Sequence, residues 1–221
     1  MHQCARFCTK PTALHEFALK RIVRYLVLTA TRGLILHPNK EFRLDMYVDA
    51  DFAGLWHQQH SAMRECVLSR TGYIITYCNC PIHWVSKLQT EIALSTTESE
   101  YIALSMATRD LLPLRRLLQE IHLYGIVTLP LSNPFNTTKL PTLDATQIFE
   151  DNASCIVLAN SEATRQRTKH IALKYHHFRD QIRQGFVKVV KVDTNFNWAD
   201  ILTEPLTRCR HESLRKLIMG W

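Results

Sequence analysis

The sequence predicts an α/β fold in which five strand-like segments are interleaved with helices, three of them before a long helix and two after it. Three observations carry this. Residues 42–53 set Phe42, Leu44, Met46 and Val48 against Arg43, Asp45, Tyr47 and Asp49, a period of two that marks a strand with one buried face. Two runs rich in strand formers, Gly72 to Tyr77 and Ile82 to Ser86, flank Cys78-Asn79-Cys80-Pro81 and read as a hairpin. Ser95-Thr-Thr-Glu98 then forms a capping-box pattern that opens a helix running through Ile121.

The other elements follow in order. Residues 12–30 carry Leu14, Phe17, Ala18, Ile22, Tyr25 and Leu26 at helical spacing, with Lys20, Arg21 and Arg24 on a basic face. Gly33 and Pro38 punctuate before the first strand. Pro113 predicts a kink or break in the long helix, because proline removes one backbone donor and crowds the preceding turn. Residues 125–145, with Pro130, Pro134 and Pro141, read as a long loop. A strand over Thr146 to Asp151 leads into a short helix over Asn152 to Leu158. Residues 171–184 look helical and Phe186 to Val192 alternates as a strand. Helical spacing returns from Trp198, interrupted at Pro205.

With 221 residues and 46% hydrophobic content, the chain can bury one full core with an appended element. Twenty-seven Lys and Arg against twenty Asp and Glu give a formal charge of +7, which favours a polyanionic partner such as nucleic acid. No apolar run reaches the length of a membrane span, and residues 1–10 do not resemble a signal peptide, so an intracellular protein is expected. The seven cysteines are odd in number and irregularly spaced, a pattern of reduced thiols rather than of a disulfide framework.

Four acids stand where strands end and helices begin, the positions that line the crevice of an α/β sheet. Asp49 lies inside the first strand, Glu100 in the first turns of the long helix, Asp151 at the end of the fourth strand, and Asp200 where the last strand hands over to a helix. Each alone reads equally as a solvated surface acid. Together they offer hard oxygen ligands for Mg²⁺, and two such ions are what phosphodiester hydrolysis uses. Asp51 shares the face of Asp49. Glu98 has a structural task as the third residue of the capping box, which leaves Glu100 the better ligand, since positions two apart on a helix point about 200° apart.

Five strings occur in order: Tyr47-Val-Asp-Ala-Asp-Phe-Ala-Gly54; Ser86-Lys-Leu-Gln89 with Ala93-Leu-Ser-Thr-Thr-Glu-Ser-Glu-Tyr-Ile-Ala-Leu104; Glu150-Asp-Asn152; Thr168-Lys-His-Ile171; and Ala199-Asp-Ile-Leu-Thr-Glu-Pro-Leu206. As an ordered set they resemble the ribonuclease H region of copia-type LTR retrotransposon polyproteins. Residues 1–40 are similar to the end of the connection from reverse transcriptase, and 41–221 to the ribonuclease H-like domain. The resemblance implies a five-stranded mixed sheet, with three antiparallel strands first, flanked by helices. It places the catalytic and metal-binding carboxylates on Asp49, Glu100, Asp151 and Asp200. It further implies two Mg²⁺ ions, with Mn²⁺ as substitute, and endonucleolytic cleavage of RNA paired to DNA during reverse transcription. The partners it implies are the RNA–DNA hybrid and the reverse transcriptase portion of the same polyprotein, with no membrane and no small-molecule cofactor. The location it implies is cytoplasmic, in a virus-like particle, or nuclear. The chain departs from the pattern at Glu204, where Lys is more frequent, and at Phe52, where Trp is usual. The stretch from Asp193 to Trp198 lacks the histidine that many ribonucleases H carry before the last carboxylate. The paired aspartates of a polymerase site are missing, so no DNA synthesis is expected.

Arg165, Arg167, Lys169 and His170 form a basic cluster that suits hybrid phosphates, joined by Asn152 beside Asp151; a solvated charge run is the plainer reading. His57, His60 and Cys66 lack further ligands at zinc-finger spacing. His176 and His177 read as ordinary helical histidines, and Trp56, Trp84, Trp198 and Tyr101 as core before stacking platforms. The competing reading from another class is a degenerate retroelement fragment that keeps the fold as a nucleic-acid-binding or interaction module. Another nuclease of the same fold, a resolvase or an integrase, is a third.

Overall fold

A computed structural model describes residues 2–5, 7–56, 58, 64–124, 131–133, 142–161 and 177–221. The chain divides into two compact units, Met1–Ile35 and Leu36–Trp221. The first holds α1 (His2–Ala5) and α2 (Ala13–Leu28), the helix expected over 12–30. The Thr12 backbone N–H donates to His15 Nδ1 at 3.0 Å, and the His15 ring stacks on Phe7 with centroids 4.2 Å apart.

The second unit is built on β1 (Leu44–Ala50), followed by the single turn α3 (Arg64–Val67) and the hairpin of β2 (Arg70–Tyr77) and β3 (Cys80–Leu88). Cys78 and Asn79 both have positive φ, 52° and 64°, as a two-residue hairpin turn matching the twist of its strands requires. The long α4 (Thr96–Leu123) comes next, then a two-stranded ribbon of β4 (Leu131–Asn133) and β5 (Thr142–Leu143). Then come β6 (Thr146–Glu150), α5 (Ala153–Asn160), α6 (His177–Arg183), β7 (Val187–Lys191), α7 (Asp200–Thr203) and α8 (Arg208–Met219). The main sheet has the order β3-β2-β1-β6-β7, antiparallel across the first three strands and parallel from β1 through β6 to β7. This is the five-stranded mixed sheet expected from the sequence. No helix among the described residues is long and apolar enough to cross a membrane.

The two faces of the sheet are covered differently. Met46, Val48, Tyr73, Ile75 and Ile148 meet α4, α5 and α6 through Ile102, Leu104, Leu111, Leu158 and Phe178. The opposite face packs Tyr47 and Ile74 against Trp198, Ile201, Leu202 and Leu214 of the C-terminal segment. The Tyr47 ring is sandwiched there between Phe149 and Trp198, each 4.7 Å away between centroids. Trp198 and Tyr101 are buried as core residues, whereas Trp56 and Trp84 are exposed.

Two expectations are corrected. Pro113 does not break the long helix, which is continuous from Thr96 to Leu123. Leu111, Leu114 and Leu118 keep packing on the core across the proline. The buried Arg115 donates to the carbonyls of Asp144 at 2.9 Å and Leu143 at 3.3 Å, and to the Thr146 hydroxyl, so tertiary contacts outweigh the lost donor. Inside the loop expected over 125–145, two segments of three and two residues pair as β4 and β5, too short to show a period.

Gly72 pairs with Asp49 across β1 and β2 and carries the C-terminal segment directly above it. A Cβ at this position would lie 2.6 Å from Thr203 Cγ2, 3.0 Å from Leu202 Cβ and 3.1 Å from the Ala199 carbonyl. The last contact is backbone and cannot yield by rotation. Gly72→Ala is expected to destabilise the protein by about 1–3 kcal/mol, read as a lower urea midpoint at unchanged slope.

Candidate active site

The first acid is set by β1. Asp49 lies on the Tyr47 face, one residue before the strand ends, so α7 covers it from above. Asn197 holds this covering segment in place: its side-chain amide donates to the Val48 carbonyl at 3.0 Å, and its Oδ1 accepts from the Ala199 N–H at 3.2 Å. The Thr203 hydroxyl donates to Asp49 Oδ2.

Glu100 is placed by the start of α4. Ser95 caps the helix, its hydroxyl accepting from the Glu98 N–H at 3.1 Å. Glu98 reaches back as expected but accepts from the Leu94 N–H at 2.8 Å, one residue beyond the cap. The buried Gln89 amide donates to the Ser99 carbonyl at 2.8 Å and to the Thr71 hydroxyl at 3.1 Å, pinning this helix start to β2. Asp151 follows β6 and precedes Asn152, the N-cap of α5, whose side chain accepts from the Cys155 N–H at 3.0 Å.

These elements bring ligand oxygens of Asp49, Glu100 and Asp151 within 4.8 Å of one another, the one such group of acids, histidines or cysteines among the described residues. The set could hold a hard divalent cation. Asp200, at the first position of α7, lines the same cleft of about 610 Å³ with Phe52, Asn152, Thr194 and Glu204. It is not within the three-acid group; Arg210 of α8 pairs with its Oδ2 and also donates to the Thr194 carbonyl at 2.6 Å. Asp51 also lines the cleft, but lies outside the three-acid group, in the turn after β1, where its Oδ1 accepts from the Arg70 N–H.

Like charges and burial act on these acids together. Burial pushes Asp49 up to about 6, against the Thr203 hydrogen bond and with Asp151 and Glu204 adding to the rise. Burial and then Asp49 push Asp200 up to about 8, against the attraction of Arg210. Glu100 and Glu150 are both raised well above the usual carboxylate range, Glu100 by burial and then by Glu150. Glu100 Oε2, Glu150 Oε2 and Asp200 Oδ1 are buried and accept no hydrogen bond from a described residue.

Sequence reasoning missed Glu150, Thr203, Arg210 and Gly72. Glu150 is fully buried as the last residue of β6 and accepts from the Asn152 N–H at 3.1 Å; an acid at a strand end beside another acid was its only signal. The basic cluster Arg165, Arg167, Lys169 and His170 lies outside the described residues, as do His57, His60 and His176. His177 begins α6 and is held below the usual histidine range by burial and Arg109.

The sheet order and the acidic cleft at the ends of β1 and β6 define an α/β protein of ribonuclease H-like fold. Over almost its whole length the chain is homologous to retrovirus-related Pol polyproteins of transposons. It is 32% identical over 218 residues to that of transposon RE1 of Arabidopsis thaliana, which covers 99% of this chain. It is 33% identical over 214 residues, 97% of this chain, to that of transposon TNT 1-94 of Nicotiana tabacum. The chain spans only 13% and 14% of those two polyproteins. A shorter match, 38% identical over 106 residues, is to secreted RxLR effector protein 161 of Plasmopara viticola and covers 48% of this chain and 69% of that protein. No family model and no solved structure matches the chain.

Asp49 gives the cleft a pH signature. Its folded value of about 6 lies above the ordinary 3.8, so between these values the folded protein keeps a proton that the unfolded chain releases. Stability is therefore lost as pH rises through that window. In chelator, Asp49→Asn is expected to gain on wild type by up to about 3 kcal/mol between pH 4 and pH 7, measured by urea denaturation at both ends.

Proposed function

We propose that this chain is the ribonuclease H part of a retrotransposon polyprotein, a metal-dependent endonuclease that hydrolyses the RNA strand of RNA–DNA hybrids. The observation that carries the reading is the convergence of Asp49, Glu100 and Asp151 oxygens within 4.8 Å, in a cleft that Asp200 also lines. Homology to transposon Pol polyproteins over nearly the whole chain supports it.

The donor set fits Mg²⁺. All four candidate ligands are carboxylates, and Glu100 and Asp200 each keep a buried oxygen that no described residue satisfies. Asp49, Glu100, Asp151 and Asp200 would hold two Mg²⁺ ions, with Mn²⁺ as substitute. Bound there, the ions supply an activated water and neutralise charge on the leaving oxygen of a phosphodiester. Every other contribution comes from the chain. Arg210 holds Asp200 in the cleft, Thr203 holds Asp49, and Ser95, Glu98 and Gln89 fix the helix start that carries Glu100.

The hybrid is recognised in this reading by shape and by 2′-hydroxyl contacts, so cleavage is nearly independent of sequence. Asn152 sits at the cleft, and Arg165, Arg167, Lys169 and His170 contribute phosphate contacts from the basic segment. The polymerase portion of the polyprotein is the partner that presents the substrate.

The test is cleavage of an end-labelled RNA–DNA hybrid in Mg²⁺. Asp49→Asn and Glu100→Gln are expected to lose more than about a hundredfold in rate, while Glu98→Gln stays close to wild type. Hybrid binding without cleavage by the wild-type chain would select a binding module instead. Cleavage of duplex or branched DNA in preference to hybrid would select another nuclease of this fold.

A further inference from the structure

Among the described residues, Thr203 makes two contacts that no surface threonine would need. It is buried, 7% exposed, at the last position of α7, three residues after Asp200 and therefore on the same face of that helical turn. Its hydroxyl reaches two acceptors, Asp49 Oδ2, across 154 residues of chain, and the Asp200 carbonyl at 3.2 Å. Its methyl lies over Gly72, where a Cβ would come within 2.6 Å of it, and Gly72 is the register partner of Asp49. A β-branched side chain has one free rotation, and the methyl resting on Gly72 fixes it. The hydroxyl is thereby aimed at the carboxylate.

Besides Thr203, the Ala50 backbone N–H donates to the Asp49 carboxylate. With Oδ2 held by Thr203, the Asp49 carboxyl plane is set from above by α7, and in that setting its ligand oxygen lies within 4.8 Å of those of Glu100 and Asp151. Without the hydroxyl, repulsion from Asp151 and Glu204 acts on a carboxylate held by the Ala50 backbone hydrogen bond. We infer that Thr203 is the positioning residue of Asp49: its hydroxyl locks the Asp49 carboxylate in the orientation that binds a divalent cation. This rests on the metal reading above and extends it to a residue outside the four carboxylates.

Side chains that orient metal ligands typically change metal affinity by about 10- to 100-fold when removed. The measurement is isothermal titration of Mn²⁺ and of Mg²⁺ into the full chain, without nucleic acid, for wild type, Thr203→Val, Thr203→Ser and Asp49→Asn. Valine keeps the shape and loses the hydroxyl; serine keeps the hydroxyl. Thr203→Val is expected to weaken binding by about 10-fold or more, and Thr203→Ser to stay within about threefold of wild type. If Thr203→Val does not fold by circular dichroism, Thr203→Ala beside Thr203→Ser isolates the hydroxyl in the same way. Wild-type affinity in Thr203→Val, with binding lost in Asp49→Asn, would overturn the positioning role alone. Wild-type affinity in Asp49→Asn would overturn the metal site itself.

Discussion

Holding Asp49, Glu100 and Asp151 within 4.8 Å of one another places negative charges together in a cleft that water only partly screens. Nothing about the isolated acids favours that approach, so the surrounding structure has to impose it. Each is fixed from a different direction: Asp49 by a central strand, Glu100 by a capped helix, Asp151 by the junction of β6 with α5. The central place of β1, antiparallel to β2 and parallel to β6, is what lets these three directions meet. Burial first, and like-charge repulsion after it, raise the affinity of Asp49 and Asp200 for protons. A cluster of this kind is expensive to keep without a compensating cation, which is why strands and helices that are otherwise ordinary are pinned here by buried amides such as Gln89 and Asn197.

Much of this was legible in the sequence. The alternation around Asp49 and the Ser95 capping pattern each express a local rule, and the strand and helix they predict are present. The stretch from Asp200 onward divides into α7 and α8 around Pro205 as its spacing suggests. What could not be read were relations between distant segments. Pro113 signals a break locally, but Arg115 is anchored to residues 28 to 31 positions away. Glu150 looks like half of an acidic pair, and only the alternation of β6 sends it into the interior while Asp151 turns to the cleft. Thr203 reads as a helix-end threonine until Asp49, far earlier in the chain, is set beneath it.

Homology to the transposon polyproteins runs through both compact units and covers 97–99% of the chain. The matched stretch thus spans the segments that carry the carboxylates and the short elements that hold them. Where the chain departs from the family pattern, at Glu204 and Phe52, the changes fall on the wall of the cleft rather than on the four candidate ligands. They leave the acid constellation in place.

The unbroken α4 has a mechanical consequence. Glu100 lies near its beginning and Arg115 fifteen residues further on, about 22 Å along the axis. There Arg115 grips the backbone just ahead of β6, at whose other end stands Asp151. Helix and strand are thus tied together at their far ends by the Arg115 guanidinium. Glu100 and Asp151, at the near ends, stand on two elements that a residue outside the cleft also joins.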